Sequence, residues 1–208
     1  MSLRLLDMGL VPYENALKEQ ENILTNRIAD LTEDTVLLLE HYPVVTLGRS
    51  FNDTGLRDAD FFARKNISIV RADRGGGITY HSPGQLVIYP IVRIDPASRD
   101  ISSFIDILEI MVVAALGDLG VDTQRDPFRR GVWATGKKIA FTGIKFKRWV
   151  SCHGVAVNIN NDISAFEMMD PCGEPGTKVT SASILSGKPL DMNEVKKVFS
   201  VHLERVFS

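Results

Sequence analysis

Apolar residues in this chain repeat with a period of two in some stretches and of about 3.6 in others, and the two kinds of stretch are mixed without regular strand–helix–strand alternation. That mixture favours an α+β fold over a doubly wound sheet. Residues 3–8 read as a short strand. Pro12 then opens a helix whose stripe runs Tyr13, Ala16, Leu17, Ile23, Leu24, Ile28 and Leu31, with Gln20 as its polar exception. Residues 35–42 (TVLLLEHY) form a dense apolar strand, expected at the centre of a sheet. A helical stretch near 58–65 precedes strands near 67–72, 76–80 and 86–92.

Ser103 and Asp106 resemble a capping box and open a helix to about Leu119. It is apolar nearly all round (Ile107, Leu108, Ile110, Met111, Val112, Val113), so it is expected to be buried. Strands near 131–134, 138–147 and 149–158 follow, and a last helix from Asp191 places Val195, Val198, Phe199, His202, Leu203 and Val206 on one face. With 208 residues, 44% of them apolar, and no linker-like stretch, one domain spanning 1–208 is expected.

Several function classes are disfavoured. The net charge of −2 implies no global attraction to nucleic acid or to an anionic membrane, so neither is expected as a partner. Asp7, Pro12 and Glu14 interrupt the N-terminal apolar run before a signal peptide could form, and the longest apolar run, Ile110 to Leu116, is too short to span a bilayer. Two cysteines, Cys152 and Cys172, make a poor disulfide framework, and a cytoplasmic setting is expected. The histidines His41, His81, His153 and His202 lack metal-ligand spacing, so no metal site is expected. The run Gly75, Gly76, Gly77 lacks the P-loop and dinucleotide patterns, and no cofactor is expected.

Chemistry is sought in two segments that have no periodicity and are rich in Gly and Pro, residues 73–85 (DRGGGITYHSPGQ) and 170–187 (DPCGEPGTKVTSASILSG). Cys172 stands between Pro171 and Gly173, where a carbonyl can approach the main chain without meeting a Cβ and backbone N–H groups can face it. The alternative is an incidental loop thiol. Cys152 lies inside a strand pattern, and its neighbour His153 points to the opposite face, which argues against a dyad.

The strand 138–147 places Lys138, Ala140, Thr142, Ile144 and Phe146 on one face, with Lys138 as its lone charge. Desolvation there disfavours an ammonium and makes the amine a candidate base, unless the lysine snorkels to water from the strand end. A free thiol titrates near about 8.5 and an ammonium near about 10.4, which favours thiolate and ammonium in such a pair without a histidine, whereas burial of both groups pushes toward neutral thiol and neutral amine.

Taken together, HYPVVTLGR (41–49), RGGGITYHSPGQLVIYP (74–90), GVW (131–133), KIAFTGI (138–144), HGVAVNI (153–159) and PCG (171–173) resemble the lipoate biosynthesis octanoyltransferases, in that family's order over nearly the whole chain. The resemblance implies the biotin/lipoate-ligase-like α+β fold, octanoate carried on Cys172 as a thioester, and Lys138 as its activating partner. It implies a substrate site lined by Arg74, Gly75, Gly76, Gly77, Ile78, Thr79, Tyr80 and His81, by Phe141, Thr142 and Gly143, and by Gly154, Val155 and Ala156. The implied donor is octanoyl-acyl carrier protein. The implied acceptor is a lysine on a lipoyl domain of a 2-oxoacid dehydrogenase complex or on the glycine cleavage H protein.

Two segments depart from the family pattern. Ser82 stands where glycine is usual, so strain is expected if that turn needs positive φ. Phe141 and Thr142 replace Ser-Ile or Ser-Leu before Gly143, adding bulk where the acyl chain or donor lies.

Two rival readings are an ATP-dependent lipoate or biotin ligase, which needs no cysteine, and a non-catalytic acyl-carrier-binding module. An acidic carrier requires a basic face, for which Arg125, Arg129, Arg130, Lys145, Lys147 and Arg148 are candidates. The alternative for these residues is a strand edge guarded by charge.

Overall fold

The computed structural model describes residues 3–52, 55–94, 100–171 and 176–207. Its elements are β1 (Leu3–Val11), α1 (Tyr13–Ile28), β2 (Asp34–His41), β3 (Val44–Leu47), α2 (Ala59–Arg64), β4 (Ser68–Arg71), β5 (Ile78–His81), β6 (Gln85–Ile91), α3 (Ile101–Asp118), β7 (Gln124–Arg125), β8 (Val132–Ala134), β9 (Lys137–Lys147) and β10 (Val150–Asn158), then a 3-10 turn (Ser164–Met168), α4 (Ala182–Ser186) and α5 (Met192–Phe207). Seven strands form one sheet in the order β1-β2-β6-β10-β9-β8-β7, and three form a second in the order β4-β3-β5. β1 runs parallel to β2 and the other pairs of the large sheet are antiparallel. This is a mixed α+β architecture, as the periodicities predict.

The unbroken apolar runs of β2 and β6 follow from cover on both faces. On one face Leu108, Met111, Val112 and Leu116 of α3 and Val195, Phe199 and Leu203 of α5 pack on Val36, Leu38, Leu86 and Ile88. On the other, Ala16, Ile23 and Leu24 of α1 pack on Leu37, Leu39, Val87 and Tyr89. Each large aliphatic side chain so enclosed stabilises the fold by roughly 1.5–3 kcal/mol. A third cluster joins the small sheet to β9 and the 3-10 turn through Val45, Ile78, Tyr80, Phe141, Phe166 and Met169. Among the described residues no helix is long and apolar enough to cross a membrane.

Several expectations need correction. α3 starts at Ile101, capped by Asp100, whose carboxylate accepts the Ser102 N–H at 2.8 Å, so Ser103 is not its cap. Nor is α3 buried all round: Ile107 and Ile110 are 44% and 54% exposed, while Glu109 is 1% exposed. α1 ends at Ile28, leaving Leu31 outside the stripe and exposed. β3 has no counterpart in the sequence reading, because four residues are too few to show a period. β10 begins at Val150, since Arg148 and Trp149 form a two-residue hairpin turn with φ of 50° and 63°. The left-handed position before β6 is Gly84, at φ 86°, and not Ser82, so the expected strain is absent.

Candidate functional site

A slot of about 450 Å³, its open mouth included, is lined by Tyr13 of α1, Arg74 and Gly76 before β5, Thr79 and His81 of β5, Val87 and Tyr89 of β6, Phe141, Thr142 and Gly143 of β9, and His153, Gly154, Val155 and Ala156 of β10. The glycine-rich loop lies close against β9. The Gly75 N–H donates to the Ile144 carbonyl at 3.1 Å, and a Cβ on Gly143 would sit 2.9 Å from the Gly75 oxygen. Only hydrogen at 143 permits that approach. Phe141 stacks face to face on Phe166 at 5.0 Å, so its bulk is anchored to the third cluster while its edge reaches the slot.

Arg74 is buried and its guanidinium donates to the Thr46 carbonyl and hydroxyl, both at 2.7 Å, and to the Gly75 carbonyl at 2.9 Å. Around it, burial keeps the imidazoles neutral. His41 and His153 are each held down to about 4, chiefly by desolvation, and the Arg74 charge adds to the effect on His153. His81 is pushed well below the usual histidine range by burial and by His41 and Arg74. Burial also raises the Tyr13 and Tyr89 hydroxyls.

The hydrogen bonds assign the tautomers. His41 Nδ1–H donates to the Val11 carbonyl at 3.2 Å, leaving Nε2 to accept from the Tyr89 hydroxyl at 2.9 Å. His81 Nδ1–H donates to Gln85 Oε1 at 2.7 Å. His153 Nε2–H donates to Asp73 at 3.0 Å.

Lys138 is not among the residues that line the slot, and adjoins it through Phe141. It is 1% exposed, which overrides the alternative of a snorkelling strand-end lysine. Its Nζ sits 5.1 Å from the Trp133 ring centre and 5.4 Å from that of Phe141. Its backbone is bracketed by the chain downstream of Cys172: the Lys138 N–H donates to the Lys178 carbonyl at 2.8 Å, and the Thr180 N–H donates to the Lys138 carbonyl at 2.9 Å. A side-chain relay holds this bracket. Gln85 Nε2 donates to Asn158 Oδ1 at 2.9 Å, and Asn158 Nδ2 donates to the Thr180 carbonyl at 3.0 Å.

Cys172 itself lies outside the described residues. Three positions upstream, Met169 packs in the cluster that contains Phe141. Asp170 pairs with Arg57, and its N–H donates to the Gly55 carbonyl at 2.8 Å.

Of the residues named from sequence, Arg74, Gly76, Thr79, His81, Phe141, Thr142, Gly143, Gly154, Val155 and Ala156 line the slot. Gly75 backs onto β9, and the Gly77 carbonyl accepts the Gly48 N–H at 3.0 Å. Ile78 and Tyr80 turn into the third cluster, away from the slot. Sequence reasoning missed Tyr13, Val87 and Tyr89, which read as ordinary apolar positions. His153, which strand alternation sets aside as a base for Cys152, also lines the slot. That thiol is buried, donates to the Lys145 carbonyl at 3.6 Å, and is pushed up to about 11 by desolvation, so it is no nucleophile near neutral pH.

Much of the suggested basic face is internally paired. Arg125 meets Asp106 and Glu109, Arg129 meets Asp126 and lies over Trp133, Arg130 meets Asp106, and Lys145 meets Asp73.

Residues 12–204 match the model of the Lipoyl protein ligase A/B catalytic domain. An octanoyltransferase of Syntrophobacter fumaroxidans is 39% identical over 204 residues, covering 98% of this chain and 90% of the relative. One from Pelobacter propionicus is 38% identical, covering 91% and 88%. Among solved structures, lipoate-protein ligase A bound with ATP superposes with a TM-score of 0.79 over 99% of this chain and 85% of that one, at 18% identity. A biotin protein ligase from Aquifex aeolicus in complex with biotin and ATP gives 0.54 over 99% and 72%, at 14% identity. At those identities the structural likeness speaks to the fold alone.

Proposed function

This chain belongs to the lipoyl protein ligase A/B catalytic-domain family, and from that premise we propose that residues 1–208 act as one cytoplasmic catalytic domain. It is an acyltransferase that moves an octanoyl group from acyl carrier protein to a lysine of a lipoyl domain, or of a glycine cleavage H protein, in protein lipoylation. Cys172 passes its proton to Lys138 and the resulting thiolate attacks the carrier thioester carbon; a tetrahedral oxyanion forms and collapses, and the carrier's sulfur leaves with the proton held by Lys138, giving an S-octanoyl enzyme beside a neutral Lys138 amine. The acceptor lysine then attacks as a neutral amine. As the amide forms, the Cys172 thiolate leaves, and Lys138 takes the proton released by the attacking nitrogen. Amine attack on a thioester runs downhill, so no nucleotide is needed.

The observation that carries this reading is the burial of Lys138 beside a slot whose wall is kept free of imidazolium charge. Hydrocarbon gains about 0.8 kcal/mol per buried methylene, so an eight-carbon tail in such a slot is held by roughly 5–6 kcal/mol. The octanoyltransferase relatives share more than a third of their residues with this chain, whereas the ATP-bound ligase shares 18%, which favours transfer over ATP-dependent ligation. A Cys172→Ser variant separates the two readings. Transfer from octanoyl-carrier protein is expected to fall by at least about a thousandfold, and retention of ATP-dependent activity with free octanoate would establish a ligase instead.

A further inference from the structure

We infer that Glu109 is a positioning residue for Lys138, an inference that rests on the reading of Lys138 as the proton-handling amine. Glu109 projects from α3 toward the sheet and is 1% exposed, while its neighbours Ile107 and Ile110 are 44% and 54% exposed. A helix turned only to bury hydrocarbon would do the reverse. Burying a carboxylate is costly unless its oxygens are hydrogen-bonded, and here both are. Oε2 accepts from Arg125 Nε at 3.1 Å. Oε1 accepts from the Gly131 N–H at 2.6 Å and from the Thr142 hydroxyl at 3.3 Å.

Those two Oε1 donors flank Lys138. Gly131 immediately precedes β8, the strand on which Trp133 is paired with Lys138, and Thr142 lies four residues farther along β9 and lines the slot. Gly131 has φ +100°, and a Cβ there would lie 2.5 Å from Lys138 Cε and 3.4 Å from Nζ. The Gly131 backbone is therefore a wall against the end of the lysine stem, with the Trp133 and Phe141 ring centres 5.1 Å and 5.4 Å from Nζ. A lysine side chain has four rotatable bonds, and proton transfer requires its nitrogen in one place. The Glu109 carboxylate pins the peptide that restricts it, and Arg125 occupies its other oxygen so that it cannot swing away.

The test compares Glu109→Ala, Glu109→Gln, Gly131→Ala and Lys138→Ala in single-turnover and steady-state octanoyl transfer, with circular dichroism and melting curves for each. Glu109→Ala is expected to lower kcat roughly a hundredfold, with donor KM changed less than about twofold. Glu109→Gln keeps an acceptor for the Gly131 N–H and is expected to recover most of that loss. Gly131→Ala should match Glu109→Ala, and the double variant should be no worse than the poorer single one, because both act on one contact.

A folded Glu109→Ala enzyme with wild-type kcat, a defect confined to KM, or multiplicative losses in the double variant would each overturn the inference. If Glu109→Ala does not fold, Glu109→Leu, which fills the same space with no acceptor for the Gly131 N–H, decides the question: wild-type kcat sinks the inference, and a lowered kcat at unchanged donor KM that Glu109→Gln recovers sustains it. Lys138→Ala separates the two claims. An inactive Lys138→Ala beside normal Glu109 and Gly131 variants removes only the Glu109 inference, whereas an active Lys138→Ala removes both.

Discussion

At the middle of the β9–β10 ladder, three histidines and two tyrosines crowd around Arg74, and burial favours the neutral form of each. At the start of β9, Lys138 and Glu109 are buried to the same depth, yet they are residue types that carry charge, held by a glycine peptide, an arginine and two aromatic rings. The two regions share a strand and a hydrophobic surround. They differ in what burial is used for: to keep imidazoles and phenols neutral around one guanidinium where hydrocarbon lies, and to hold an amine in place where protons move.

The sharpest way to break this contrast is at the charged end. Lys138→Ala is expected to lower octanoyl transfer by about 10²–10⁴-fold with the fold intact, and Lys138→Arg to do no better, since a guanidinium does not give up its proton. Steady-state rates with purified variants check both.

The neutral end is tested by pH. His41 and His153 are held down to about 4, below the unfolded value near 6.5. Below about pH 6.5 the unfolded chain therefore binds protons that the folded one refuses. Stability is full above that value and lost as pH falls toward 4, by about 3 kcal/mol for each histidine. Urea midpoints measured from pH 7 to pH 4 should fall in this window, and His41→Gln should flatten the slope.

Gly143→Ala forces a methyl group to 2.9 Å from the Gly75 oxygen and 3.3 Å from Arg74 Cδ. The loop must shift, at about 1–3 kcal/mol. Kinetics should show a raised donor KM with kcat less affected, the opposite of the Lys138 variants.

The smallest effect is expected at the rim. Arg129 is paired with Asp126 and stacked on Trp133. Its reversal to Glu should change KM for the carrier less than about twofold at physiological salt, and a large rise would place the carrier there.

How much of this was readable from sequence depended on the range of the interactions involved. β2, β6, β9 and β10 were legible because local apolar density reports a covered strand. Gln20 was visible only as an exception on its stripe. Its reason lies far along the chain, where His153, at φ 57° within β10, donates its N–H to Gln20 Oε1. Glu109 was hidden inside an apolar helix, because nothing local says which side of α3 faces the sheet. The β9–β10 turn was placed one residue short, with Trp149 counted in the strand, because Arg148 and Trp149 take positive φ without the usual Asn-Gly signal. Lys138 was singled out by face alternation. The roles of Gln85 and Asn158 in holding its bracket required the pairing of β6 with β10.

Intact-mass analysis of the protein after incubation with octanoyl-carrier protein, followed by peptide mapping, tests the central claim most directly. One octanoyl adduct is predicted, on Cys172, stable to acid, released by hydroxylamine, and discharged when a lipoyl domain is added. An enzyme that completes transfer without ever carrying the group, or that carries it on Cys152, would contradict the account.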